Sequence, residues 1–244
     1  MTAPRFRPLT FGVTRVHLRD GPRGVHYLRA EQDLADYPAR MADRLQHWAR
    51  TAPDRTFMAR RVKNADGSLG DWRHVTYAEA WQSARAIAQA LIDRGLSAER
   101  PVAILSENGL EHALLALGCL VAGVPFTPAS PPYSLVSTDY SKLKHVLATV
   151  TPGLVFAADA ARYGKAIAAA VGPDIEVVLA EGTLPGRATT SFADLLATPP
   201  TEAVDAAMRG QARGQPSGSL DRHGGDEAAV EPGIVIGPRK QRER

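Results

Sequence analysis

Between residues 101 and 180, short apolar runs alternate with stretches of helical periodicity, and no other feature limits the fold of this chain as much. The pattern predicts strands over Val102–Leu105, Val124–Thr127, Leu154–Ala157 and Ile175–Leu179. Between them it predicts helices over Leu110–Ala122, Thr138–Val150 and Ala160–Val171. Strands spaced by helix-length segments call for a parallel sheet covered by helices with right-handed crossovers, since a parallel neighbour is reached only by crossing over. The clearest period precedes Val150, where Leu143, Val146, Leu147 and Val150 share one stripe while Lys142, Lys144 and His145 lie off it. The fold class expected is therefore α/β.

Upstream, Met41, Leu45 and Trp48 recur at helical spacing until Ala52-Pro53, where proline disfavours helix in the residue before it. Two β-rich runs, Thr56–Val62 and Trp72–Val75, flank the turn-forming text Asn64-Ala65-Asp66-Gly67-Ser68 and predict a β-hairpin. Thr76 stands three residues before Glu79, the spacing of a capping box, so a helix should start there. Its apolar face of Ala80, Ala84, Ile87, Ala88, Leu91 and Ile92 runs on to Gly95. Residues 1–37 mix Arg, Pro and Gly with isolated apolar residues and read as an extended, partly ordered arm. Residues 209–244 hold seven Gly, one Leu and no Phe, Trp or Tyr, too little to build a core. The expected organisation is thus an arm over 1–37, an α/β subdomain over 38–207, and a disordered or frameshifted tail over 208–244.

Charge gives little direction, because 29 Lys+Arg against 26 Asp+Glu leaves an excess of only +3. No nucleic-acid-type surface follows from that total. The terminal Arg239-Lys240-Gln241-Arg242-Glu243-Arg244 is broken by Glu243, lacks an aromatic for stacking, and reads as solvated. The single cysteine excludes an internal disulfide or a multi-cysteine metal site, and with no leader pattern at the start a cytoplasmic setting is expected. The longest apolar run, Ala113–Phe126, is interrupted by Gly118, Gly123 and Pro125 and falls short of the roughly 20 residues that cross a bilayer.

Neither G-x-G-x-x-G after a strand nor G-x-x-x-x-G-K occurs, so a dinucleotide fold and a P-loop ATPase lack support. Cys119 lies among apolar neighbours and reads as a small core residue rather than a nucleophile. The seven His form no metal-ligand spacing, and Glu111-His112 reads as a helix-surface pair. Lys142, Lys144 and His145 could bind phosphate or an acidic partner, but a solvated helix face is the better reading. Gly210, Gly214 and Gly218 have helix-dimer spacing without an apolar span around them. No catalytic residue and no metal ligand is singled out, and cofactor-binding residues stay unassigned.

Four phrases in order carry a resemblance: Trp48–Arg55 (WARTAPDR), Val75–Glu79 (VTYAE), Val102–Asn108 (VAILSEN) and Leu120–Pro128 (LVAGVPFTP). Together they resemble the N-terminal portion of the adenylate-forming (AMP-binding) acyl-CoA synthetase superfamily, over about residues 37–207. Pro128–Ser137 (PASPPYSLVS) looks most like feruloyl-CoA synthetases and close aryl-CoA ligases. The resemblance implies a parent reaction in which an aryl carboxylate, ATP and coenzyme A give acyl-CoA, AMP and pyrophosphate. ATP, coenzyme A and Mg would serve that parent enzyme, and a small aryl carboxylate would be its substrate.

The sequence departs from the family where a phosphate loop of the form S-G-S-T-G-x-P-K should follow. Ser217-Gly218-Ser219 continues instead as Leu220-Asp221-Arg222-His223-Gly224, with Gly224 where the loop lysine belongs. One set of codons that encodes Leu220–His223, CTC GAC CGG CAT, reads Ser-Thr-Gly one base out of register, so a frameshift would account for the break. The expectation is a truncated, inactive N-terminal part that binds none of the cofactors tightly, with a complementing chain left open. The alternative is a non-catalytic α/β binding or interaction module. Neither nucleic acid nor membrane is expected as a partner.

Overall fold

The computed structural model describes residues 15–33, 36–64, 66–211 and 234–236. The chain separates into two compact units, Pro38–Leu220 and residues 1–37 with 221–244. In the smaller unit, β1 (Val16–Asp20) and β2 (His26–Ala30) pair antiparallel, with Leu18 opposite Leu28. This corrects the expected extended arm. The run Gly21-Pro22-Arg23-Gly24 turns the chain back, helped by a backbone bond from Gly21 N–H to Val25 C=O and by Gly24 at φ 74°. The apolar residues that looked isolated are cross-strand partners.

The larger unit opens with α1 (Met41–Thr51) and the antiparallel hairpin β3 (Thr56–Lys63) and β4 (Leu69–Thr76). Helix α2 (Tyr77–Asp93) begins with both halves of the capping box: Glu79 N–H donates to Thr76 Oγ1, and Thr76 N–H donates to Glu79 Oε2. Those bonds hold the Glu79 carboxyl below its usual range, the backbone donor of Thr76 first. Then come β5 (Val102–Leu105), α3 (Leu110–Ala122), β6 (Phe126–Pro128), the single turn α4 (Pro132–Leu135) and α5 (Ser141–Val150). They are followed by β7 (Leu154–Asp159), α6 (Ala160–Ala170), β8 (Glu176–Glu181), β9 (Thr190–Ser191), α7 (Phe192–Leu196) and α8 (Glu202–Gly210).

The five-stranded sheet has the order β6-β5-β7-β8-β9, and every pairing in it is parallel. Although its strands read as continuous apolar text, their residues alternate between two cores, as strands covered on both faces do. Val102, Ile104, Leu154, Phe156 and Val178 pack with α2, α3, α7 and α8. Ala103, Leu105, Val155, Ala157, Val177 and Leu179 pack with α5 and α6. Helices α2 and α3 meet at Gly118, where an added Cβ would lie 2.6 Å from Ile87 Cβ.

Four expectations shift. Strand β6 starts at Phe126 rather than Val124, because Gly123 at φ 73° ends α3 and Val124 N–H still bonds back to Cys119 C=O. Helix α5 starts at Ser141 rather than Thr138. There Asp139 accepts from the Ser137 and Ser141 hydroxyls and from Ser141 N–H, and these bonds hold a turn with Tyr140 at φ 55°. Elements β9, α7 and α8 were not anticipated. Beyond residue 207, α8 continues to Gly210, and β10 (Ile234–Ile236), a run of β-branched residues, pairs antiparallel with β2. The rest of the expected disordered tail lies outside the described residues.

Side chains fasten the segment after β8 to the rest of the larger unit. Arg187 donates to the carbonyls of Val171, Gly172 and Ile175 at 3.0, 2.6 and 2.7 Å. Buried Gln89 accepts from both the backbone N–H and the hydroxyl of Thr201, at 2.8 and 2.7 Å. Arg85 pairs with Asp205, and Gln211 Nε2 donates to the carbonyls of Leu120 and Val121 at the end of α3.

Candidate functional site

After β5 the chain crosses to α3 on one face of the sheet, whereas after β7 it crosses to α6 on the other. Because β5 and β7 are neighbours, their carboxyl ends open a crevice between diverging connections, the place where open α/β sheets bind ligands. Ser106 and Glu107 follow β5 there, and Asp159 ends β7.

Each of these groups already has a partner. Glu107 Oε2 receives Arg162 Nη1 at 2.7 Å, an ion pair spanning the connections after β5 and β7, which raises the Arg162 guanidinium further above its usual range. Asp159 Oδ1 caps α6 by accepting from the N–H groups of Ala161 and Arg162, at 2.7 and 3.3 Å. Ser106, only 4% exposed, places its Oγ 2.8 Å from His112 Nδ1. Burial holds the His112 imidazole below its usual range, so its neutral form is favoured near pH 7. A buried serine beside a neutral imidazole is a pair suited to proton transfer, but the Ser106 hydroxyl is turned into the protein and bonded to His112. Fully buried Tyr163 on α6 has its hydroxyl raised above the usual range chiefly by burial, and the Ser134 hydroxyl on α4, also buried, has no hydrogen-bond partner among the described residues.

This arrangement does not fit nucleotide phosphates. The crevice's arginine is paired with Glu107, the N-terminus of α6 is occupied by Asp159, and Glu111 lies in the first turn of α3. An incoming polyphosphate would meet carboxylates where a phosphate cradle presents free N–H groups and a lysine. Among the described residues, no group of three or more His, Cys, Asp or Glu could hold a metal ion.

Of the residues weighed from sequence, Cys119 is fully buried in the α2–α3 core, and burial pushes its thiol far above the usual range. It is a packing residue. Lys142, Lys144 and His145 are exposed on α5, with Lys142 Nζ 5.5 Å from the Tyr133 ring centre. Glu111 and His112 are half-buried and separately engaged, with Arg73 and Ser106 respectively, which corrects their reading as a helix-surface pair. Gly214, Gly218, Gly224 and the terminal Arg239–Arg244 run lie outside the described residues. Sequence reasoning missed the Glu107–Arg162 pair. Its two members are 55 positions apart, and only the strand order shows that the ends of β5 and β7 are adjacent.

Solved structures that resemble this chain include the fatty acid AMP ligase of Legionella pneumophila, at 22% identity and a TM-score of 0.50 over 67% of this chain and 26% of that one. Another is a protein assigned as a long-chain-fatty-acid CoA ligase from Rhodopseudomonas palustris CGA009, at 24% identity and 0.52 over 69% and 38%. A third is the A domain of the carboxylic acid reductase of Segniliparus rugosus, bound to AMP and a co-purified carboxylic acid, at 16% and 0.50 over 66% and 31%. At these identities the likeness is one of fold, and this chain spans between about a quarter and two-fifths of their lengths. No curated protein matches the chain. Among the described residues, no helix is long and apolar enough to cross a membrane. The family model of AMP-binding enzymes matches residues 45–213, well over half of the chain, from α1 through the last helix of the parallel sheet unit. The chain belongs to the AMP-binding enzyme family.

Proposed function

We propose that these residues are the N-terminal part of a cytoplasmic, ATP-dependent aryl-carboxylate CoA ligase of feruloyl type. The observation that carries this reading is the family match over residues 45–213, joined to the Pro128–Ser137 phrase that looks like aryl-CoA ligases. The parent reaction would join a carboxylate to AMP with release of pyrophosphate, then pass the acyl group to coenzyme A. ATP, coenzyme A and Mg belong to that whole reaction.

The 244 residues alone are inactive in this proposal. No lysine occurs between Lys165 and Lys240, and Gly224 stands where the loop lysine belongs. The described crevice spends Arg162 on Glu107. Adenylation needs donors aimed at charge developing on the transferring phosphoryl group, and losing even one such donor typically costs about 10²–10³ in rate. The test is ATP–pyrophosphate exchange by the purified chain with ferulate, p-coumarate, caffeate and a fatty acid. No carboxylate-dependent exchange is expected. Exchange clearly above a control lacking the chain would overturn the inactive reading.

The paired charges of the crevice also favour a second reading, a non-catalytic α/β module. Sequencing of the adjacent DNA separates the two. A phosphate loop and a downstream domain encoded in another frame support the ligase, and the frame-restored protein should then use ferulate in exchange. An unrelated gene supports the module, and a restored enzyme that uses only fatty acids overturns the aryl assignment.

A further inference from the structure

On a different face of α6 from Arg162, a cleft of about 670 Å³ opens between that helix and the connection Glu181–Arg187 that follows β8. Its volume falls in the range of small-molecule sites, about 300–1,000 Å³. Two glycines shape it. Gly164 leaves room for Leu184, whose Cδ2 would sit 3.0 Å from an added Cβ, and a Cβ added to Gly182, at φ 78°, would sit as close to Ala160 Cβ. Arg187 pins the far end of the connection through its three carbonyl bonds, so the wall opposite α6 is held in place.

The lining is divided by chemistry. Ala161, Gly164 and Ala168 from the helix face Leu184 and Pro185 from the connection and form an apolar middle. At the strand end, Asp159 and Glu181 stand opposite each other in register on β7 and β8. Asp159 commits Oδ1 to capping α6, while Glu181 makes no hydrogen bond or ion pair with the described residues. Lys165, one helical turn along from Ala161, likewise has no polar partner among them.

We propose that this cleft binds a small zwitterion with an apolar body, of the size of an amino acid or dipeptide. Its ammonium lies between Asp159 and Glu181, its apolar side chains lie against Ala161, Gly164, Ala168, Leu184 and Pro185, and its carboxylate meets Lys165. Carboxylates at the strand end, Lys165 further along α6 and apolar lining around it select against simple carboxylates and simple amines, each of which would leave one charge of the cleft unmatched. The cleft is open to solvent, so each charge contact contributes modestly and binding is weak.

The experiment is a titration of the full ¹⁵N-labelled chain, followed by amide chemical shifts, with leucyl-phenylalanine, its N-acetyl form and its C-terminal amide. Saturable shifts are expected at Gly164, Lys165, Gly182 and Thr183 with the free dipeptide. Each blocked form should bind about fivefold more weakly, the effect of one exposed charge pair. Lys165→Gln and Glu181→Gln should each weaken the free dipeptide by a similar factor. Ala168→Phe, at an exposed lining position, should abolish the shifts while circular dichroism shows an unchanged fold. Absence of saturable shifts up to about 20 mM, equal binding of all three ligands, or shifts that persist in Ala168→Phe would overturn the proposal.

Discussion

His112 couples the stability of this unit to pH in a direction set by burial. Its imidazole titrates below the ordinary value of about 6.5 in the folded chain, while in the unfolded chain it returns to that value. As pH falls through that window the unfolded chain takes up a proton that the folded one resists, so stability declines with acid. Asp205, held low chiefly by its hydrogen bond from Arg85, acts in the same direction but only below about pH 4. Urea unfolding should therefore show a falling midpoint between about pH 7 and 5, flattened in His112→Gln, while the steeper loss below pH 4 is kept. An unchanged slope in the variant would show that other groups set it. At this scale the sequence was legible for Cys119, whose apolar neighbours on both sides already marked it as core. It was not legible for His112, because Ser106 and the close of β5 reach it only through the turn into α3.

Among the elements, those with strong local signals matched the structure most closely. Leu110–Ala122 and Val102–Leu105 lie where periodicity put them, and the Thr76/Glu79 spacing became a two-way capping box. Those signals sit within one turn or one strand of the residues that respond to them. The short elements after β8 have no such period: α7 has only five residues, and β9 has two. The position of α7 is set by tertiary contacts of Phe192 and Leu195 with the first core. The contact of α2 with α3 offers a test of close packing. At Gly118 an added methyl would press on Ile87 Cβ and Cγ2, near its backbone rather than at a flexible tip. Gly118→Ala should destabilise the unit by about 1–3 kcal/mol, read as a lower urea midpoint with an unchanged slope. A variant as stable as the parent would mean that the two helices can part without cost.

For the molecule as a whole, long-range polar bonds hold the late segment to the early one. Gln89 bonds to Thr201 across 112 positions, so Gln89→Ala removes the acceptor of two hydrogen bonds at once. A loss of about 1–3 kcal/mol is expected, together with faster proteolysis at residues 197–201 than elsewhere in the unit. Uniform proteolysis would show that the segment is held by its apolar contacts alone. The overall class was legible because βαβ alternation admits few topologies, but the crevice was not, since strand order β6-β5-β7 is absent from any local pattern. That order also decides which strands lie at the borders of the sheet. At one border is β6, three residues long, with Pro125 just before it and Pro128 within it. Ala129 N–H and Pro125 C=O point inward to β5, which turns position 128 outward, where proline presents no donor. The other border, β9, offers two residues. A foreign strand seeking to extend this sheet would find neither length nor a complete ladder to copy, and the unit is guarded at both borders against self-templated aggregation.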